Sequence, residues 1–134
     1  MDIKWKLNLV SPTSKVFEYL SINYGRKQFW AETAVEKDGY VEFKFSNGET
    51  YISKVLNSQS PTLFEIDYFK TKVRFTLIET TNGGTDLTLL NANVPQSEFS
   101  DTKAGWVSVL LALKCAVDFG IDIRNHNVSK TWSQ

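Results

Sequence analysis

The stretch GWVSVLLALKCAVDFG, residues 105–120, constrains this chain more than any other. Only Ser108, Lys114 and Asp118 interrupt its apolar side chains before Gly120. A membrane span needs about twenty nearly uncharged residues, so a shorter run with a lysine inside it reads as a core helix. Trp106, Val109, Leu110, Leu113, Ala116 and Val117 form one broad stripe, which Val107, Leu111 and Cys115 widen. A helix apolar over most of its circumference is largely buried. The spacing predicts a helix from near Asp101 to Phe119, closed by Gly120, which the rest of the chain has to cover.

That cover reads as a sheet. Asp38–Gly39 and Asn47–Gly48 are two-residue hairpin signals, because glycine tolerates the positive φ of such turns, and Asn82–Gly84 marks a third turn. Between them lie Glu32–Lys37, Tyr40–Phe45, Thr50–Leu56, Leu63–Phe69, Val73–Thr80 and Thr85–Ala92, all short and rich in β-branched and aromatic residues. They read as consecutive antiparallel strands. A three-residue turn over Asn82–Gly84 puts Val73, Phe75, Leu77, Leu87 and Leu89 on one face, and sends Arg74, Thr76, Asp86 and Thr88 to the other. One polar residue, Asn91, then falls on the apolar face.

The N-terminal segment alternates in the same way, with Ile3, Trp5, Leu7 and Leu9 inward and Lys4, Lys6 and Asn8 outward. It ends at SPTSKVFEYL, where Ser11 is a good N-cap and Pro12 a good first helical residue. Val16, Phe17 and Leu20 make one stripe of that short helix, and INYGRKQFW reads as a break followed by a turn or second short helix. The expected architecture is a single α+β domain over residues 1–134. About seven antiparallel strands curve around a long C-terminal helix, with two short helices after strand one.

Composition narrows function mainly by exclusion. Fifteen basic residues balance fifteen acidic ones, so there is no positive field to collect a phosphate backbone, and no nucleic-acid partner is expected. Cys115 is the sole cysteine and reads as a small buried hydrophobe. His126 is the sole histidine, in the polar segment RNHNVS. One His and one Cys do not assemble a familiar zinc or iron site, so neither metal nor other cofactor is expected and no catalytic residue is assigned. MDIKWKLNLV lacks the basic start and continuous apolar run of a signal peptide, so a cytoplasmic location is expected.

Several motifs resemble one family. SPTSKVFEYL is similar to a proline-led first helix after strand one, and Phe29–Trp30 to an aromatic pair at the end of the second short helix. GGTDLTLLNANVP followed by GWVSVLLAL is similar to a glycine-glycine-threonine strand, a short loop and a Gly-Trp helix opening. Together they resemble the START-like (Bet v 1-like) superfamily, and within it the family related to the activator of Hsp90 ATPase. The link NSQSPTLFEIDYF matches only loosely, and IDIRNHNVSKTWSQ extends past the family's usual end. The resemblance implies a helix-grip fold, whose long helix closes a cavity against the sheet. Its members mostly bind apolar or amphipathic small molecules; some are cyclases and others act on protein partners.

The expected cavity wall is apolar with a few orienting polar groups. Phe75 and Leu89 supply it from the sheet, and Leu110 and Leu113 from the helix. Asn91 is either an orienting group or a strand-end asparagine bonded to the next loop. Tyr68 points its ring inward, as a ligand contact or as a structural tyrosine bonded to backbone; Tyr51 is a weaker case. Trp30 and Trp106 stand either at the mouth or in the core, and Phe99 is a candidate gate. Glu65 and Asp67 share a face opposite Phe64, Ile66 and Tyr68, which reads as wet. The leading expectation is a protein binding a hydrophobic small molecule or lipid. The second is an interaction module of the Hsp90-activator type, with a chaperone or other protein as partner. A cyclase- or hydrolase-like enzyme comes third.

Overall fold

Turn chemistry sets the sheet of the computed structural model, which describes residues 1–127 and Ser129. The order is β1 (Ile3–Leu9), α1 (Thr13–Ser21), α2 (Asn23–Lys27), β2 (Thr33–Lys37), β3 (Tyr40–Lys44), β4 (Thr50–Gln59), β5 (Leu63–Tyr68), β6 (Thr71–Glu79), β7 (Thr85–Ala92) and α3 (Phe99–Phe119). Asp38 and Gly39, at φ 53° and 82°, make the two-residue turn between Lys37 and its partner Tyr40. The Asn47–Gly48 turn is one residue longer than its signal suggested. The Phe45 amide donates to Glu49 O at 2.9 Å, so Ser46–Gly48 form a three-residue loop, with Gly48 at φ 87°. Phe69 and Lys70 take φ 48° and 65° and turn the chain between Tyr68 and Thr71, where the sequence reading let the strand run on.

The seven strands lie in the order β1-β7-β6-β5-β4-β3-β2, every neighbouring pair antiparallel. The β6–β7 register pairs Phe75 with Leu89, Leu77 with Leu87 and Val73 with Asn91, the faces that parity required. Its loop is Thr81–Gly83, since the Thr80 amide donates to Gly84 O at 3.1 Å. That is one residue earlier than expected. The Gly-Gly-Thr run does three jobs there. Gly83 turns at φ 79°, and a Cβ on Gly84 would lie 2.5 Å from Leu9 O. Thr85, wholly buried, donates its hydroxyl to Ser11 O at 2.9 Å. This architecture, a seven-stranded curved sheet around a long C-terminal helix with two short helices after strand one, is the helix-grip fold.

Two polar anchors help hold the layers together; the sequence reading gave Ser11 a different role and Arg26 none. Ser11 does not cap α1, whose N-terminus has no side-chain cap. Its hydroxyl instead donates 2.7 Å to Asp118 Oδ1 near the far end of α3. The Val10 and Ser11 amides reach the same carboxylate at 3.0 and 3.1 Å, and Lys114 Nζ at 3.1 Å. Burial pushes the Asp118 carboxyl up, but the Ser11, Val10 and Lys114 donors outweigh it and hold the group below its ordinary value. The second anchor is Arg26, which is wholly buried. It donates to Ala34 O, Leu20 O and Asn23 Oδ1 at 3.1, 3.2 and 2.6 Å, tying the α1–α2 elbow to β2. Desolvation lowers its pKa to about 10, against the opposing pull of Glu36.

No helix among the described residues is long and apolar enough to cross a membrane. The helix α3 runs Phe99–Phe119, starting two residues before the expected Asp101, and Gly120 ends it at φ 66°.

Candidate functional site

The interior between sheet and α3, where the resemblance places a cavity, is occupied by aromatic rings. Trp30 lies 4.9 Å from Phe43, 5.5 Å from Phe75 and 6.2 Å from Trp106, centroid to centroid. Tyr68 closes the cluster at 5.4 Å from Trp106 and 5.4 Å from Phe43. Phe75 is one of these rings, Leu89, Leu110 and Leu113 are buried with it, and none of the four borders either of the hollows beside the core.

Asn91 faces inward as parity requires, and its hydrogen bonds join the layers. The Trp106 indole N–H donates to Asn91 Oδ1 at 3.0 Å, and Asn91 Nδ2 donates to Thr71 Oγ1 at 2.8 Å and Lys72 O at 3.2 Å. Both oxygen and nitrogen of the amide are therefore engaged. Trp106 is buried with it and packs in the core rather than at a mouth.

The open space lies beside this core. A groove of about 710 Å³ runs between α3 and the β3–β4 loop, with Phe29 and Trp30 at its base and the Phe69 turn at one end. Gly105, Ser108, Val109 and Ala112 form its helix wall, a flank of α3 distinct from the Trp106–Leu110–Leu113 stripe. Phe45 stacks on Phe43 at 5.8 Å and 4° and extends the aromatic surface outward. A smaller hollow of about 350 Å³ lies on the other side of Tyr68 and Phe69, bordered also by Asn91, Thr71 and the acids Glu49, Glu98 and Asp101.

Of the residues singled out from sequence, Trp30 and Tyr68 line the larger groove, and Tyr68 and Asn91 the smaller. Trp30 Nε1 donates to the Tyr68 hydroxyl at 3.2 Å. Burial raises the Tyr68 phenol well above its ordinary pKa, so it stays protonated. Tyr51 sits behind the wall. It stacks on Phe69 at 4.5 Å, donates to Asp67 Oδ1 at 3.0 Å and accepts from the Lys70 amide at 3.2 Å. Phe99 is half-buried beneath Lys103 and borders neither hollow. On the outer face, where Lys72, Arg74 and Asp86 are exposed, Glu65 is itself buried and accepts from Arg74 Nε at 2.8 Å, while the half-buried Asp67 accepts from Tyr51 and the Lys54 amide.

The segment after α3 returns to the groove and supplies its third side through Ile123, Arg124 and Asn125. Arg124 donates to Ala31 O and Lys27 O at 2.9 and 2.6 Å, and pairs with Asp122 at 3.0 Å. His126 is exposed, as expected, but engaged: Nδ1 lies 2.5 Å from Glu32 Oε1 and Nε2 2.8 Å from Asp122 Oδ2. Those carboxylates raise its pKa. Sequence reasoning missed Phe45, Phe69, Val109 and this returning segment. The small residues Gly105, Ser108 and Ala112, three and four apart on α3, were the legible sign of a low helix flank.

Comparison with known proteins agrees with this architecture. The family model described as activator of Hsp90 ATPase homolog 1-like protein matches residues 11–118. A search of curated proteins finds no match. Among solved structures, a protein from Staphylococcus saprophyticus superposes with TM-score 0.82 at 21% identity, covering 92% of this chain and 96% of its own. The Aha1 dimer from Colwellia psychrerythraea gives 0.81 at 19% identity, covering 90% and 98%. An activator-like protein from Aeromonas hydrophila gives 0.78 at 13% identity, covering 90% and 94%. At such identities the structures speak for the fold, and the family rests on the sequence match across most of the chain: this protein belongs to the activator of Hsp90 ATPase homolog 1-like family.

Proposed function

We propose that this protein binds an apolar or amphipathic small molecule or lipid in the groove between α3 and the β3–β4 loop. The observation that carries the reading is an open groove of about 710 Å³ with an aromatic base, beside a core that is already full. Burial of ligand surface contributes about 25 cal/mol per Å², which has to exceed the cost of immobilising the molecule. In this reading Trp30 and Tyr68 touch the ligand and Tyr51 holds Phe69 in place. Asn91, Trp106, Phe75, Leu89, Leu110 and Leu113 support the base from beneath. The reading includes a cytoplasmic setting, supported by the single, unpaired Cys115.

A second reading, docking of a protein partner such as a chaperone, draws on family membership and on Leu111, Phe119, Ile121 and Ile123, exposed on and after α3. One experiment separates them. Native mass spectrometry after incubation with a lipid and metabolite extract is expected to show a discrete added mass. Val109→Trp, which fills the groove from the helix side, should abolish it. A bare protein mass throughout, with a protein partner recovered on the Leu111 surface, would replace the first reading with the second.

A further inference from the structure

Resting on the groove reading above, we infer that the ligand is a neutral, flat aromatic molecule bearing a hydrogen-bond acceptor such as a ketone, and that Tyr68 is the donor that selects it. Three observations converge. The first is shape and surface. Phe29 and Trp30 are buried at the base, and the ring surface that reaches the rim is that of Phe45, stacked on Phe43 at 5.8 Å and 4°, and Phe69, stacked on Tyr51 at 4.5 Å and 24°. Ring faces in near-parallel pairs favour a planar partner by offset stacking.

The second is an unspent proton. The Tyr68 oxygen accepts the Trp30 indole N–H at 3.2 Å, but its own O–H has no acceptor among the described residues. The ring borders both hollows, and burial keeps the phenol protonated. The group therefore offers a neutral donor at every physiological pH. Leaving it unpaired costs more than giving it an acceptor.

The third is charge. Arg124 is the single cation bordering the groove among the described residues, and its guanidinium is committed to Asp122, Ala31 O and Lys27 O. Glu49 borders both hollows, and its carboxylate has no ion pair or hydrogen bond among the described residues. A ligand carboxylate would meet that unpaired charge and no free cation. Fatty acids and other anionic lipids are thereby disfavoured, and a carbonyl acceptor is favoured.

The test uses three probes with one skeleton: 2-acetylanthracene, 2-ethylanthracene and anthracene-2-carboxylate, followed by fluorescence titration. The ketone is expected to bind about fivefold tighter than the ethyl compound, the worth of one net hydrogen bond. Its carbonyl stretch should fall below the value in hexane. In Tyr68→Phe the ketone's advantage should vanish. Because that change also leaves the Trp30 N–H unpaired, the infrared shift in the unaltered protein is the independent readout. Glu49→Gln, on an exposed loop, should strengthen carboxylate binding several-fold and leave the ketone unchanged. Equal binding of ketone and ethyl compound with an unshifted carbonyl would overturn the inference and leave the groove reading standing, as would tightest binding of the carboxylate. Failure of all three probes to bind in a manner sensitive to Val109→Trp would overturn both.

Discussion

Replacing Asn91 with leucine separates a structural amide from a ligand-orienting one. The change removes the acceptor for the Trp106 indole N–H and the donor to Thr71 Oγ1 and Lys72 O. Leucine has nearly the same shape, so the main loss is electrostatic. A buried donor left unpaired costs about 1–3 kcal/mol. The Thr71 hydroxyl keeps its bond to Tyr68 O at 2.7 Å, so it adds little. The expected total is about 2–3 kcal/mol. At about 2.1 cal/mol/K per residue, a chain of 134 residues loses about 3–4 °C in Tm per kcal/mol, or about 7–11 °C here. Urea unfolding followed by far-UV circular dichroism measures it. Trp106→Phe removes the donor, and the double variant Asn91→Leu/Trp106→Phe removes both partners. The double should therefore cost about 1–2 kcal/mol less than the sum of the singles. Additivity within about 0.5 kcal/mol would refute the layer-joining role of this amide.

Leu113→Trp should destabilise by about 1–3 kcal/mol or more, because Leu113 is wholly buried in a full core; a neutral or stabilising result in chemical denaturation would reveal a hidden cavity. Asp118→Ala should cost about 2–4 kcal/mol by releasing Val10, Ser11 and Lys114 together. Since the folded carboxyl lies below its ordinary value of 3.8, its contribution is present above that pH and fades as pH falls through the lower folded value, which acid unfolding of both forms compares. His126 has the opposite sign. Its folded pKa lies above the ordinary 6.5, so its contact with Glu32 and Asp122 contributes fully below pH 6.5 and weakens as pH rises through the folded value. Protection of the Arg124 amide, after correction for the intrinsic base-catalysed exchange rate, should fall over that rise, and His126→Ala should remove this fall.

Periodic features were legible in the sequence and single contacts were not. Parity alone put Asn91 on the inner face and gave Phe75 and Leu89 the same face, because a strand has only two sides and one of them must be apolar, but it did not give the pairing, which the earlier loop shifts by two residues. The long helix and its Gly120 terminus followed from spacing and one glycine. The Phe69–Lys70 turn escaped because neither residue is a usual turn former; its positive φ angles are imposed by strands paired on both sides. Ser11 was misread because a local cap rule cannot anticipate Asp118, 107 positions away. The groove was misplaced for a related reason. Inward-pointing aromatic residues suggested the wall of a central hollow, but Trp30, Phe43, Tyr68, Phe75 and Trp106 together fill that space. The opening moves outward to the helix flank where Gly105, Ser108 and Ala112 are small.

Two of the polar attachments of α3, Trp106 to Asn91 and Asp118 to Ser11, stand twelve residues apart, or about 18 Å along the axis, and Trp5 to Lys103 O and Lys114 to Asn8 O add to them. A rod fixed at two such points keeps one rigid-body freedom, rotation about the line between them, and its buried stripe opposes that. The long helix is therefore a stator. The adjustable parts are the Ser46–Gly48 loop, the Phe69–Lys70 turn and the segment carrying Ile123 to Asn125, all of which border the groove from outside the helix. The aperture of the groove can change through the lengths of these three segments while the helix and the layers beneath it keep their geometry.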